Sequence, residues 1–299
     1  MSQIVTLNDS SNFAAMAAAM GMSADVKKTK KANNLARLKI DHSGVMGEEI
    51  VKGKARKVQI VDAGMFVLQR PEQPNLYCAE PQIRLFNQRF MYKRYVKGTG
   101  GQKDRFIKTI MSTDLNADLR DNEGGFNCGK PSGWIEDYKS LPEDMKTLLK
   151  SIKRVRVLLG EVTFPAAVND KGEEVEGVQS VPFIWEVDNK DAFKEMGSPI
   201  AQMAKQNRIL PQHMILLTTT ENPLPNGNSY YTPNAALDLS GVIPLTDADQ
   251  ATFTSFNEWI DNYNDYIVSA YNEASKNKAE EKFDEVVEEF VDVEIEDAA

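Results

Sequence analysis

The chain has 299 residues, 41% hydrophobic and 26% charged, with a formal net charge of −9; this is enough to bury a real core and excludes wholesale disorder. No apolar run approaches the roughly 20 residues that span a bilayer, and the opening MSQIVTLNDSSNFAAMAAAMGM has no basic segment before its alanine-methionine stretch, so a cytoplasmic protein with no membrane contact is expected. Two cysteines and two histidines, Cys78, Cys128, His42 and His213, stand far apart, which excludes a disulfide framework and leaves buried free thiols as the reading; no metal and no cofactor is expected.

Residues 1–57 read as a basic arm. A short helix is predicted at NFAAMAAAMGM, ended by Gly21, and Lys27, Lys28, Lys30, Lys31, Arg37 and Lys39 then follow with no acid among them. Such a run is either solvated or a strap on a polyanion.

From Val58 the pattern becomes short strands. KVQIVDAGMFVLQR reads as a strand with a glycine irregularity, and PQIRLFNQRFMYKRYVKG as a long strand whose turn GTGGQKD leads into the return strand RFIKTIMS. STDLNADLRDN carries a helix-start signal, NEGGFNCGKPSGW is a glycine-rich loop, and SLPEDMKTLLKSIKR reads as a helix capped by Ser140. KRVRVLLGEVTF and SVPFIWEVDN are strands, SPIAQMAKQNRIL is a helix ending before Pro211, and Asn226-Gly227 sits between apolar-alternating arms as a hairpin signal.

Residues 246–278 form a long amphipathic helix capped by Thr246 or Asp247, with Phe253, Phe256, Trp259, Ile260, Tyr263 and Ile267 at helical spacing for docking on the body. The expected class is α+β: a β-rich core over residues 58–245, six or seven mainly antiparallel strands with inserted helices, built as a small OB-like barrel or as an open sheet with helices on one face.

Residues 279–299 are a separate acidic tail. They hold ten acids and one lysine, which leaves 34 basic and 34 acidic residues in the first 278: the body is neutral and the tail carries the entire excess.

Nothing in the chain matches a phosphate-cradling loop, a dinucleotide-binding glycine motif, a nucleophile elbow or a zinc-protease helix, and two histidines give acid-base chemistry little to draw on. Asp114, Asp118 and Asp121 fail as a calcium loop, because the sixth position is Leu119 and the twelfth Gly125; on a helix they share one face, read as solvated, with a metal-dependent nuclease as a minor alternative. The chain is therefore expected not to be an enzyme.

The densest unusual feature is the hairpin of residues 82–108. Arg84, Arg89, Lys93, Arg94, Lys97, Lys103, Arg105 and Lys108 face a single acid, Asp104, and interleave with Phe86, Phe90, Tyr92, Tyr95 and Phe106. Simple alternation places Arg84, Phe86, Gln88, Phe90, Tyr92 and Arg94 on one face. Aromatic rings bracketed by cations suit single-stranded nucleic acid, whose bases stack while its phosphates are neutralised; the same aromatics also read as core. SIKRVRVLL adds Arg154 and Arg156, and Trp134 in the glycine-rich loop is a further stacking candidate.

With this hairpin, a neutral body and the ending EEFVDVEIEDAA, the chain resembles phage-type single-stranded DNA-binding proteins, which have an OB-like barrel and an acidic C-terminal tail. The resemblance implies a non-catalytic protein of DNA replication or recombination in the host cytoplasm. It also implies a tail that competes with DNA and recruits replication or recombination proteins through Phe290, Val291, Val293 and Ile295. The zinc-containing branch of that family needs clustered Cys and His ligands that this chain lacks. A structural or adaptor protein is the alternative, and a homo-oligomer is left open.

Overall fold

The computed structural model describes the backbone of residues 35–51, 54–101 and 103–296 and, Val51 excepted, the side chains of those up to residue 279. The helix expected before Gly21, the lysines at 27–31, and the side chains of Phe290, Val291, Val293 and Ile295 lie outside the described residues.

Strand β1 spans Ala36–Ile40, with Ala36 and Leu38 buried and Arg37 and Lys39 exposed. The basic stretch read as an arm is thus a core strand from Ala36 onward. Its two charges occupy the outer side of a period-2 alternation that a run of lysines conceals. β2 (Val45–Val51) and β3 (Lys54–Val61) pair as a separate antiparallel hairpin.

The remaining strands join β1 in one eleven-stranded mixed sheet. They are β4 (Phe66–Gln69), β5 (Leu76–Cys78), β6 (Gln82–Val96), β7 (Arg105–Lys108), β8 (Ile152–Phe164), β9 (Ala167–Val168), β10 (Glu174–Val175), β11 (Val178–Val187), β12 (Ile215–Pro223) and β13 (Ser229–Leu237). The order is β10-β9-β5-β4-β1-β11-β8-β6-β12-β13, with β7 on β6. Among the described residues only β1 and β11 run parallel. The path ends at β10 and β13, which do not pair, so the sheet is open; the expected barrel is replaced by the open-sheet alternative.

Its centre is β6, β8 and β11. β6 and β8 pair from Gln82 with Thr163 to Arg94 with Ile152, interrupted by a bulge between Leu85 and Asn87. Gly160, opposite Leu85, permits the bulge: a Cβ there would lie 2.3 Å from the Arg84 carbonyl oxygen. One face of the sheet buries Ile83, Leu85, Leu158, Phe164, Phe183 and Trp185 with Leu38 and Phe66. The other buries Met91, Val155, Val157, Leu159 and Ile184.

That second face is covered by the last helix, which runs over Asp247–Glu296 in the backbone and continues without a break past residue 278. Thr246 caps it in a reciprocal box: its N–H and hydroxyl donate to Asp249 Oδ2, and the Asp249 N–H donates back to Thr246 Oγ1. Phe256, Ile260 and Ile267 of the expected stripe are buried, each contributing about 1.5–3 kcal/mol, while Phe253 stays 40% exposed. Asn264 replaces a strand partner, accepting from the Met111 N–H and donating to the Met111 carbonyl.

The shorter helices are α1 (Glu143–Ser151), α2 (Lys190–Glu195) and α3 (Gly197–Lys205), so the last is α4. α1 starts later than Ser140 predicts because the Ser140 hydroxyl donates to the Asp137 carbonyl rather than capping a helix, and Pro142 precedes the first turn. The helix expected in STDLNADLRDN does not form. Ser112, Asp121 and Arg120 make isolated bridges to Phe90, Thr109 and Phe126, and tertiary pairing overrides the local start signal.

Candidate nucleic-acid interface

The bulge at Phe86 divides the face that simple alternation assigns to the basic-aromatic strand. Before it, Arg84 points toward α4, where Nη1 meets Asp249 Oδ1 at 2.5 Å with both side chains largely buried. Phe86, the extra residue, packs on Phe256 with ring centroids 5.9 Å apart and is 3% exposed. Beyond it, Asn87, Arg89, Met91, Lys93 and Tyr95 share the α4 side. Gln88, Phe90, Tyr92 and Arg94 turn to the opposite side.

On the α4 side most of the cations are already paired. Arg89 donates to Asn87 Oδ1, to the Gln88 carbonyl and, at 3.5 Å, to Asn257 Oδ1. Lys93 and Lys108 both hold Glu186, at 3.0 and 2.9 Å, and Asp188 lies 3.2 Å from Lys153 and 3.8 Å from Lys93; Arg105, which pairs with Val96 and so faces the other side of the hairpin, meets Glu123 at 2.8 Å. Burial alone would raise the Glu186 carboxyl, but the Lys108 and Lys93 ammonium groups hold it below the usual carboxylate range.

The opposite side carries an open cleft of about 730 Å³. Its floor is Tyr92, Ile152 and Arg154 on β6 and β8; its walls are Leu115–Asp118, the loop from Asn127 through Tyr138, and Leu149 of α1. Lys130 Nζ stands 5.9 Å from the Tyr92 ring centroid and donates to the Pro131 and Gly133 carbonyls. Trp134 is 88% exposed and Tyr138 42% exposed. Among the described residues neither Lys130 nor Arg154 makes an ion pair, though the Lys130 charge helps to lower the Asp118 carboxyl and the Arg154 guanidinium lies 5.9 Å from the Phe193 ring centroid.

The loop is built from the acids that sequence reasoning weighed as metal ligands. Asp121, 2% exposed, accepts from the Glu123, Gly125 and Cys128 N–H groups. It steadies a turn in which Asn127 and Cys128 both adopt left-handed φ, 53° and 58°. Asp118 accepts from Ser132 Oγ and Asn127 Nδ2, bonds that hold its carboxyl below the usual range. Asp114 turns back on the Asn116 N–H. No group of three His, Cys, Asp or Glu side chains that could hold a metal occurs among the described residues. Cys78 and Cys128 are free and buried, and burial first, then the Asp121 charge, pushes the Cys128 thiol up to about 12.

Further along the same side, Arg156 is 9% exposed and stacks on Phe193 of α2 and on Phe90, at 4.5 and 5.1 Å from the ring centroids. It also donates to the Phe193 carbonyl and to Gln88 Oε1, so the Phe90–Phe193–Arg156 group packs α2 onto the sheet. Arg94 is partly buried, with no hydrogen-bond partner for its Nε.

Of the residues expected to bind nucleic acid, the cleft thus gathers Tyr92, Trp134 and Arg154. Arg84, Phe86 and Arg89 support α4; Phe90 and Arg156 support α2; Lys93, Lys108 and Arg105 hold carboxylates. Tyr95 stands apart on the α4 side, 50% exposed. Lys130 and Tyr138 were missed. Their only sequence signal is proximity to Trp134 in a glycine- and proline-rich loop, with Tyr138 four residues beyond it.

No protein-family model matches the chain, and neither a curated protein nor a solved structure does. No helix among the described residues is long and apolar enough to cross a membrane.

Proposed function

We propose that the protein binds single-stranded DNA in the cleft between the Tyr92 strand and the loop of residues 127–138, without catalysis, in phage replication or recombination. The observation that carries this reading is Trp134: an indole 88% in water that lines one cleft with Lys130 and Arg154, neither of which makes an ion pair among the described residues. An indole left in water is costly packing for a loop and good packing for a base. Lys130 and Arg154 supply charge for flanking phosphates, and Tyr138 a second ring. The OB-like kinship belongs to the same reading in a looser form: antiparallel strands present the ligand surface, and the binding does not require a closed barrel.

The test is a titration of the full chain into end-labelled oligo-dT at two salt concentrations, following the anisotropy of the label, which reads wild type and the Trp134 variant alike. One base stack is worth about 1–3 kcal/mol, so Trp134→Ala lowers affinity about 5- to 150-fold. Lys130→Glu or Arg154→Glu flattens the salt dependence by about 0.7 per lost phosphate contact. Undetectable binding of the wild-type chain at low salt would end the idea.

The adaptor reading draws on a separate observation, the pairing of Lys93, Lys108 and Lys153, on one side of the sheet, with carboxylates of the same chain. A charged face neutralised internally suits contact with protein; a purified sample free of nucleic acid that elutes with a protein partner would favour it.

A further inference from the structure

We propose that Tyr95 and Phe106 form a second stacking station for the same single strand, which passes round the tip of the β6–β7 hairpin to reach it. This rests on the cleft being a nucleic-acid site. The two residues are direct cross-strand partners, their ring centroids 5.2 Å apart, and they are 50% and 49% exposed. Three positions separate Tyr92 on the cleft floor from Tyr95. Strand alternation therefore places them on opposite sides of the hairpin, about 10 Å apart along it.

Three features separate this pair from aromatics stranded at a loop. The Tyr95 hydroxyl donates to Asp104 Oδ2, and Asp104 Oδ1 accepts from the Gly98 N–H, so the ring is held in place by the tip itself before any ligand arrives. Lys93 Nζ, held by Glu186, lies 4.9 Å from the Phe106 centroid and fixes that ring from one side. Lys97 and Lys103 lie exposed on the tip between the two sides, and among the described residues neither makes an ion pair.

That combination selects a polyanion with planar groups over a folded protein. A protein contact would want contiguous apolar surface, whereas these two rings have Lys93 on one side and the exposed Lys97 and Lys103 on the tip, with Asp104 bound to the Tyr95 hydroxyl.

The experiment compares a short oligo-dT of about five nucleotides with a long one of about twenty, lengths that bracket one binding module. The full chain is used, with fold checked by circular dichroism. The Tyr95→Ala/Phe106→Ala variant is expected to bind the short oligomer like wild type and to lose about tenfold or more on the long one. Lys97→Glu/Lys103→Glu should show the same selectivity, and Phe106→Tyr should restore long-oligomer binding. Equal loss on both lengths would overturn the proposal, since the pair would then act through the cleft. Undiminished binding of the long oligomer would also overturn it and assign the rings to a protein contact. If wild type binds neither oligomer, the cleft reading itself fails and takes this one with it.

Discussion

Glu186 decides whether Lys93 and Lys108 are structural or available to a ligand. It bridges both ammonium groups at 2.9–3.0 Å, with all three side chains between 17% and 25% exposed. Glu186→Gln keeps the shape and removes the charge, leaving Lys108 without its carboxylate and Lys93 with only the longer contact to Asp188, at 3.8 Å. Breaking a fully buried pair costs about 3–5 kcal/mol; discounting for the exposure here, about 2–3 kcal/mol is expected, read as a lower urea midpoint at unchanged slope.

The pH dependence has a definite sign. Because the folded Glu186 carboxyl lies below its ordinary value of 4.5, its contribution is present above that value and lost as pH falls through the lower folded one. The difference between wild type and variant should therefore be full at neutral pH and shrink below about pH 4.5. At neutral pH the same variant frees Lys108 and loosens Lys93, which keeps Asp188, so its affinity for oligo-dT should rise and its salt dependence steepen by about 0.7 or more. Equal stability of the two proteins at neutral pH, or a difference that persists unchanged into acid, would refute this account of the triad.

The anchor of α4 gives a second expectation: Asp249→Ala removes both the Arg84 partner and the carboxylate that accepts from the Thr246 N–H and hydroxyl, costing about 2–4 kcal/mol by chemical denaturation. Gly64, at φ 88° with a would-be Cβ 2.5 Å from the Tyr231 ring, should not tolerate Ala; a loss of at least about 2 kcal/mol is expected, with partial rescue by Tyr231→Ala. Cys128, buried with its thiol pushed up to about 12, should resist a thiol reagent at neutral pH until urea unfolds the chain. Rapid labelling of Cys128 in the folded protein would contradict its placement.

Much of the local structure is legible in the residues. The Asn226-Gly227 turn joins β12 to β13, the Thr246 cap starts α4, and Phe256 and Ile260 dock it, because turn chemistry and helical periodicity act over a few positions. β1 was illegible because its lysine and arginine dominate composition while only its inner side meets the core. The stretch 112–122 misled for the opposite reason: a sound helix-start signal loses to hydrogen bonds with Phe90 and Thr109, far away in sequence.

The same division runs through the candidate site. Composition alone determined that cations and aromatic rings are concentrated in residues 82–108 and that the excess negative charge is confined to 279–299. Which of those cations face a cleft was decided in three dimensions, by one bulge at Phe86 that turns half the strand over and by carboxylates that arrive from β11 and from residues 121–123. A period-2 pattern has no memory of an inserted residue, and an ion pair has no signature in the sequence of either partner. Tyr92, Lys130, Trp134 and Arg154 therefore converge through the pairing of β6 with β8 and the loop that Asp121 folds beside them, and through nothing that local sequence encodes.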